Sequence, residues 1–223
     1  MQAQTGDDLI ERIRTHSTDD DVVGPAANDL LEELYAGYPV ENLLKLLHSG
    51  DNNAVRTGAW LLSELGDLAI PLMGEVSTLL AHPLRQVRFF AIDVILDNGD
   101  GQDGPEIAQT LTLTRDPDDA VRWKVLGFLA AASPEQLAVG AVWLEDVQLK
   151  GLTEWLVRLE AREFDPRDIG ARLEDDDRVV RLFAAAAAAR LSDAEHTDLL
   201  AQAATVGDEE IRSFAQAQLE EFQ

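Results

Sequence analysis

The chain has 223 residues, enough for one domain of ordinary size or one elongated repeat array with an apolar core. Its 42 acidic residues against 18 Lys and Arg give a formal net charge of -24, which repels phosphate backbones and disfavours direct nucleic-acid binding. It has no cysteine, which excludes a disulfide scaffold and thiolate zinc sites.

Seven times along the chain, a segment with helical apolar spacing is followed by a turn and a second helix. Leu9 to His16 is the first segment; Val23-Gly24 with Ala27 and Leu31 lies in its partner helix, which Pro25 is placed to start. Val40 to His48 precedes Val55-Arg56, with Ala59, Leu62 and Leu65 ahead. Pro71 to Ala81 precedes Val87-Arg88, with Ala91, Val94 and Ile95 ahead. Pro105 to Thr114 precedes Val121-Arg122 with Val125 and Leu129, and Glu135 to Glu145 precedes a degenerate Leu149-Lys150 with Thr153 and Leu156. Arg167 to Leu173 precedes Val180-Arg181 with Ala184 and Ala188; Ala194 to Ala204 precedes Ile211-Arg212 with Ala215 and Leu219.

The anchors fall at 24, 56, 88, 122, 150, 181 and 212, at intervals of 32, 32, 34, 28, 31 and 31. Regularity of this kind marks a repeat array. No segment alternates with a period of two, so the fold is expected to be all-α, with about fourteen helices in seven hairpins. The expected units are 7-36, 39-66, 67-98, 104-132, 134-162, 165-192 and 193-223 of a single domain, 1-223. Each Asp cluster before a second helix is placed to cap it, and the repeated Arg to reach acidic turns along the stack.

An Asp turn followed by Val-Arg-x-x-Ala-x-x-x-Leu resembles the HEAT repeat, including its HEAT-like, bilin-lyase-type variety. Asp51 with Val55-Arg56 and Ala59, Asp116 with Val121-Arg122, Asp175 with Val180-Arg181 and Ala184, and Asp208 with Ile211-Arg212 and Ala215 carry it. The chain departs from the pattern at Gly24, at His82-Pro83 and at Lys150. The resemblance implies a right-handed α-solenoid of about seven HEAT-like hairpins, with the second helices lining a concave face.

At about 100° per residue, core positions counted from the Arg cluster on one side, leaving the first, fifth and eighth residues after it opposite and the fourth at the margin. Those positions are polar in the first and last units. In the middle units they are Trp60 and Leu61; Phe89, Ile92 and Asp93; Trp123 and Leu126; and Trp155 with Glu154 and Arg158. Exposed aromatics commonly mark interaction surfaces, so Trp60, Phe89, Ile92, Asp93, Trp123, Leu126, Trp155 and Arg158 form an expected partner-binding stripe. The alternative is that these rings are core between tightly packed repeats.

No catalytic constellation emerges, and no catalytic, cofactor or metal residue is assigned. His16, His48, His82 and His196 are scattered without metal-ligand spacing, and there is no P-loop, dinucleotide fingerprint or nucleophile elbow. The run Asn98-Gly99-Asp100-Gly101-Gln102-Asp103-Gly104 lacks the closing Glu of a calcium loop and reads as a turn. Few lysines beside many aspartates is the habit of salt-adapted proteins, and carboxylates spread from Asp7 to Glu221 fit a solvating surface; an acidic recognition face is the alternative. Residues 1-8 show no secretory signal, and the apolar run Leu182 to Ala189 is far short of a membrane span.

The expectation is a non-catalytic, cytoplasmic scaffold or adaptor holding a basic or helical protein segment, with no nucleic acid and no membrane as partner. An acidic, immunity-type inhibitor of a basic toxin or enzyme is the narrower form. A HEAT-like enzyme, such as a bilin lyase or DNA glycosylase, is the alternative from another class. The sequence does not specify an oligomeric state.

Overall fold

The computed structural model describes residues 2-160 and 166-222; the expected unit boundaries at 162, 165 and 223 lie outside them. Among the described residues there are fourteen α-helices, three 3-10 segments and no strand. The chain divides into two units, Met1–Asn98 and Gly99–Gln223.

In the first unit, α1 (Gln2–Thr15) packs on α2 (Asp20–Tyr35). A 3-10 turn, Val40–Leu43, leads into α3 (Leu44–Leu47) and then α4 (Asn52–Ser63). A 3-10 run, Gly66–Glu75, leads into α5 (Val76–Leu80) and α6 (Arg85–Asn98). The first helix of the second hairpin is therefore half 3-10, and that of the third largely so. In the third, Gly66, Pro71 and Gly74 all weaken an α-helix, and Pro71 lies within the 3-10 run. Pro25 likewise lies inside α2 and not at its start, because Asp20 and Asp21 already occupy the first turn and favour its dipole. Ile10, Ile13, Leu30, Leu43, Leu46, Leu61, Leu62, Leu80, Ile92 and Ile95 form the fully buried centre.

The second unit opens with α7 (Gly104–Thr112) and a 3-10 turn, Leu113–Arg115, before α8 (Asp119–Ala131). It continues through α9 (Pro134–Trp143), α10 (Val147–Glu160), α11 (Pro166–Leu173), α12 (Arg178–Arg190), α13 (Asp198–Ala203) and α14 (Glu209–Glu220). Helices α7 and α9 approach closely at Gly140, where a Cβ would lie 2.4 Å from Ile107 Cγ2. Every residue from Leu182 to Ala188 is at most 1% exposed, and a helix apolar all round belongs in a core.

Helix α12 packs against α8, α10, α11, α13 and α14, and α8 also meets α14. The second helix of the fourth hairpin thus lies on those of the sixth and seventh, which contacts between successive repeats alone would not produce. Its last carbonyls are closed by Arg190 of α12, whose Nη1 donates to Leu129 O at 3.0 Å and Ala132 O at 2.7 Å.

The motif residues have local jobs. Asp51 accepts from the Asn53 and Ala54 amides, Asp118 from Ala120, Asp146 from Gln148 and Leu149, Asp177 from Val179, and Asp208 from Glu210. Each oxygen satisfies free N–H groups at a helix start. The consensus Arg chiefly bonds a main-chain carbonyl six residues back: Arg88 to His82 O, Arg122 to Asp116 O, Arg181 to Asp175 O and Arg212 to Val206 O. A carbonyl needs no particular side chain, so His82-Pro83 serves as well as an Asp turn. Carboxylates add links between hairpins within each unit: Arg56 lies 3.6 Å from Asp20, and Arg181 3.5 Å from Asp208. The small residues Ala59, Ala91, Ala184 and Ala215 are all buried at helix contacts.

Candidate functional site

In the first unit the second helices α2, α4 and α6 line a cleft of about 420 Å³. Its apolar lining includes Val23, Ala27, Trp60 and Phe90, and Asp20, Asn28, Arg56 and Gln86 add polar groups. Trp60 is half-buried and projects from α4. Gly24 stands where other repeats hold Arg, and a Cβ there would meet nothing within 4 Å. The missing side chain leaves the cleft open.

In the second unit a cleft of about 360 Å³ lies between α8 and α14, lined by Asp119, Ala120, Trp123, Glu209, Glu210 and Ser213. Trp123 is 39% exposed yet held edge-on against the buried ring of Phe214, with centroids 6.5 Å apart. Behind it, Arg122 Nε and Nη2 donate to Glu210 Oε2, each at 3.3 Å, and Arg178 also pairs with Glu210. Glu210 is therefore engaged. Asp119 accepts from its neighbour's amide, and neither Asp119 nor Glu209 meets a base among the described residues.

The remaining stripe residues divide differently from the expectation. Ile92 and Leu126 are 0% and 1% exposed and belong to the core, as does Leu61. Ile92 and Leu126 sit at the margin of the helical wheel and Leu61 on the side opposite the core positions, and helices packed on both flanks widen the buried arc to include all three. Trp155 is also buried, at 9% exposure: its indole N–H donates to Asp168 Oδ2 at 3.0 Å, and Arg172 lies 4.5 Å from its ring centroid. It ties α10 to α11. Phe89 is half-buried and stacks edge-on against Phe90 at 5.8 Å; Asp93 is half-buried and Arg158 exposed.

Sequence reasoning passed over Trp143, which is 59% exposed, with Val142 and Val147 beside it at 72% and 85%. The available signal was its place at the end of a first helix, away from the repeated second-helix pattern. Asp119 and Glu209, both in the first turns of their helices, were not singled out either. The Asp100–Asp103 turn closes on itself, the Asp100 amide donating to Asp103 and the Gln102 amide to Asp100. Among the described residues no group of three or more His, Asp or Glu is placed to hold a metal, and no helix is long and apolar enough to cross a membrane.

These features define an all-α helical-repeat solenoid. The chain is similar to a designed armadillo repeat protein solved in complex with the peptide (KR)4, at 16% identity and a TM-score of 0.51, covering 97% of this chain and 98% of that one. It is similar to a second designed armadillo repeat protein at 16% identity and a TM-score of 0.52, covering 100% of both chains. No family model matches the sequence, and no curated protein matches it.

Proposed function

We propose that the chain is a HEAT-like repeat scaffold that holds a basic protein segment against the second helices of its hairpins and carries out no chemistry. One observation carries this reading: the exposed Trp123 ring stands beside Asp119 and Glu209, two carboxylates that meet no base among the described residues. A guanidinium or ammonium laid over an indole gains roughly 0.5–2 kcal/mol, and flanking carboxylates neutralise it through charge-assisted hydrogen bonds. The net charge of -24 would steer such a partner to the surface. A protein of similar fold was solved with the basic peptide (KR)4, which supports the same class of ligand. The open cleft at Trp60 and Gly24 would take a second anchor by itself. The division into seven repeats of one domain and a cytoplasmic location belong to the same proposal, as does its narrower form, inhibition of a basic toxin or enzyme.

The test is fluorescence anisotropy of a labelled (KR)4 peptide titrated with the full chain at low and high salt. Binding should weaken steeply with salt. Trp123→Ala should weaken it at least about tenfold while far-UV circular dichroism stays unchanged. No binding at low salt, or binding indifferent to both salt and Trp123, would overturn the reading.

A further inference from the structure

A surface of different character lies elsewhere on the second unit, where α9 and α10 form a groove of about 340 Å³ lined by Ala138, Ala141, Val142, Lys150, Glu154, Val157 and Arg158. We propose that this groove docks an amphipathic helix of a protein partner whose apolar stripe is flanked by carboxylates. The site is independent of the Trp123 cleft.

The apolar half of the case is exposure. Val142 and Val147 bracket the turn between α9 and α10 at 72% and 85% exposed, and Trp143 between them is 59% exposed. Trp143 is nonetheless held in place: its ring closes over Gly104, where a Cβ would lie 2.3 Å from the indole. Of the three, Val142 lines the groove itself, and an apolar side chain left in water within a groove marks a docking surface. The lining is small, Ala138, Ala141 and Val157, so knobs from a third helix can enter between the two. A pair of helices presenting residues at three- and four-residue spacing suits a helix better than an extended strand.

The polar half is charge. Elsewhere in this unit Arg115, Arg122, Arg172, Arg178 and Arg181 are all engaged by carboxylates. The side chains of Lys150 and Arg158 have no such partner among the described residues. They stand two turns apart on α10, about 12 Å along the axis. A partner helix bearing acids two turns apart meets both. Glu154, midway, opposes a third acid and selects an uncharged or basic side chain there. The chain's own negative charge opposes an acidic partner at long range, but beyond about 8 Å that repulsion is screened at physiological ionic strength.

The test uses two labelled synthetic peptides with leucines at i, i+3, i+4 and i+7, one flanked by Glu and the other by Lys, titrated against the full chain. The Glu-flanked peptide should bind. Val142→Asp should weaken it at least about tenfold, since an apolar contact is replaced by a charge facing carboxylates. The double variant Lys150→Glu, Arg158→Glu should lose the Glu-flanked peptide and take the Lys-flanked one. Trp123→Ala should leave Glu-flanked binding unchanged, which separates this site from the cleft proposed above. Failure of the Glu-flanked peptide to bind, or binding indifferent to Val142→Asp and to the charge reversal, overturns the proposal. So does self-association of the wild type in sedimentation velocity that Val142→Asp abolishes, because the occupant would then be a second copy.

Discussion

Arg122 and Glu210, 88 residues apart, meet through two donor nitrogens on one carboxylate oxygen, each at 3.3 Å, with both side chains 14% exposed. This pair joins the second helix of the fourth hairpin to that of the seventh and forms the floor behind Trp123. Glu210 also receives Arg178, so its removal takes one partner from each of two guanidiniums and leaves Arg122 on Asp116 O and Arg178 on Asp208. Glu210→Ala should lose about 1–3 kcal/mol, because a partly buried ion pair is broken while each guanidinium keeps a second acceptor. Glu210→Gln, which keeps the shape and one acceptor, should lose less. The urea midpoints of the two variants decide this; a wild-type midpoint for Glu210→Ala would mean that α8 and α14 do not meet in solution.

Two tryptophans that look alike in the repeat should behave as opposites. Trp155→Ala empties a buried site and takes the indole from the paired Asp168 and Arg172, and should destabilise by about 3–5 kcal/mol. Trp123→Ala removes a ring that is 39% exposed and should destabilise by much less, roughly 1 kcal/mol, the loss being concentrated in its edge-on contact with Phe214. Chemical denaturation followed by circular dichroism distinguishes them. Equal losses would place Trp123 in the core and remove the basis for its cleft.

Gly24→Arg restores the repeat consensus. Beyond its chain neighbours the added Cβ meets nothing, but Gly24 precedes Pro25, whose ring disfavours helical backbone for a residue with a Cβ, so the usual gain of about 1 kcal/mol from replacing a helical glycine should be cancelled or reversed. The same side chain would project into the Trp60 cleft and close it. An unchanged or lowered thermal midpoint with unchanged circular dichroism is the expected result; a midpoint raised by about the full glycine effect would show that Pro25 does not constrain residue 24.

Acid should act through the helix caps. Burial raises the pKa of Asp208, but the hydrogen bond and charge of Arg178, the Ile211 amide and Arg181 outweigh it and hold the carboxyl below its ordinary range. Asp51, bonded first by the Ala54 amide, and Asp177, bonded first by Gln148, are lowered in the same way. A carboxyl with a depressed folded-state pKa contributes stability that is fully present above its unfolded value, about 3.9, and is lost as pH falls through the folded value. Thermal midpoints should therefore drop below about pH 4. Protonation also relieves the chain's self-repulsion, so the difference between wild type and Asp208→Asn isolates the cap. That difference should shrink toward acid, and a constant difference would mean that Asp208 is not held as a carboxylate.

Hairpin rhythm, the aspartate caps and the small contact residues were all legible in the sequence, because each depends on neighbours within a turn or two. Ala59, Ala91, Ala184 and Ala215 were readable as recurring small positions from spacing alone, and the Asp clusters as caps from their place before an apolar helix; the turn geometry decided that Asp118 and Asp177, and not Asp116 and Asp175, hold the helix amides. The 3-10 character of Gly66–Glu75 had local signals too, in Gly66, Pro71 and Gly74, but helical periodicity masked them. What tertiary structure decided was which rings face solvent. Trp123 and Trp155 occupy the same polar side of the helical wheel. One remains exposed because α8 lies against α12 and α14, leaving a cleft there; the other is covered because Asp168 and Arg172 of α11 reach over it. Burial depends on residues distant in the chain, and periodicity within one helix carries no information about them. Even the run from Leu182 to Ala188 shows the same division. Its length showed only that it cannot span a membrane, and the packing of five helices around it made it core.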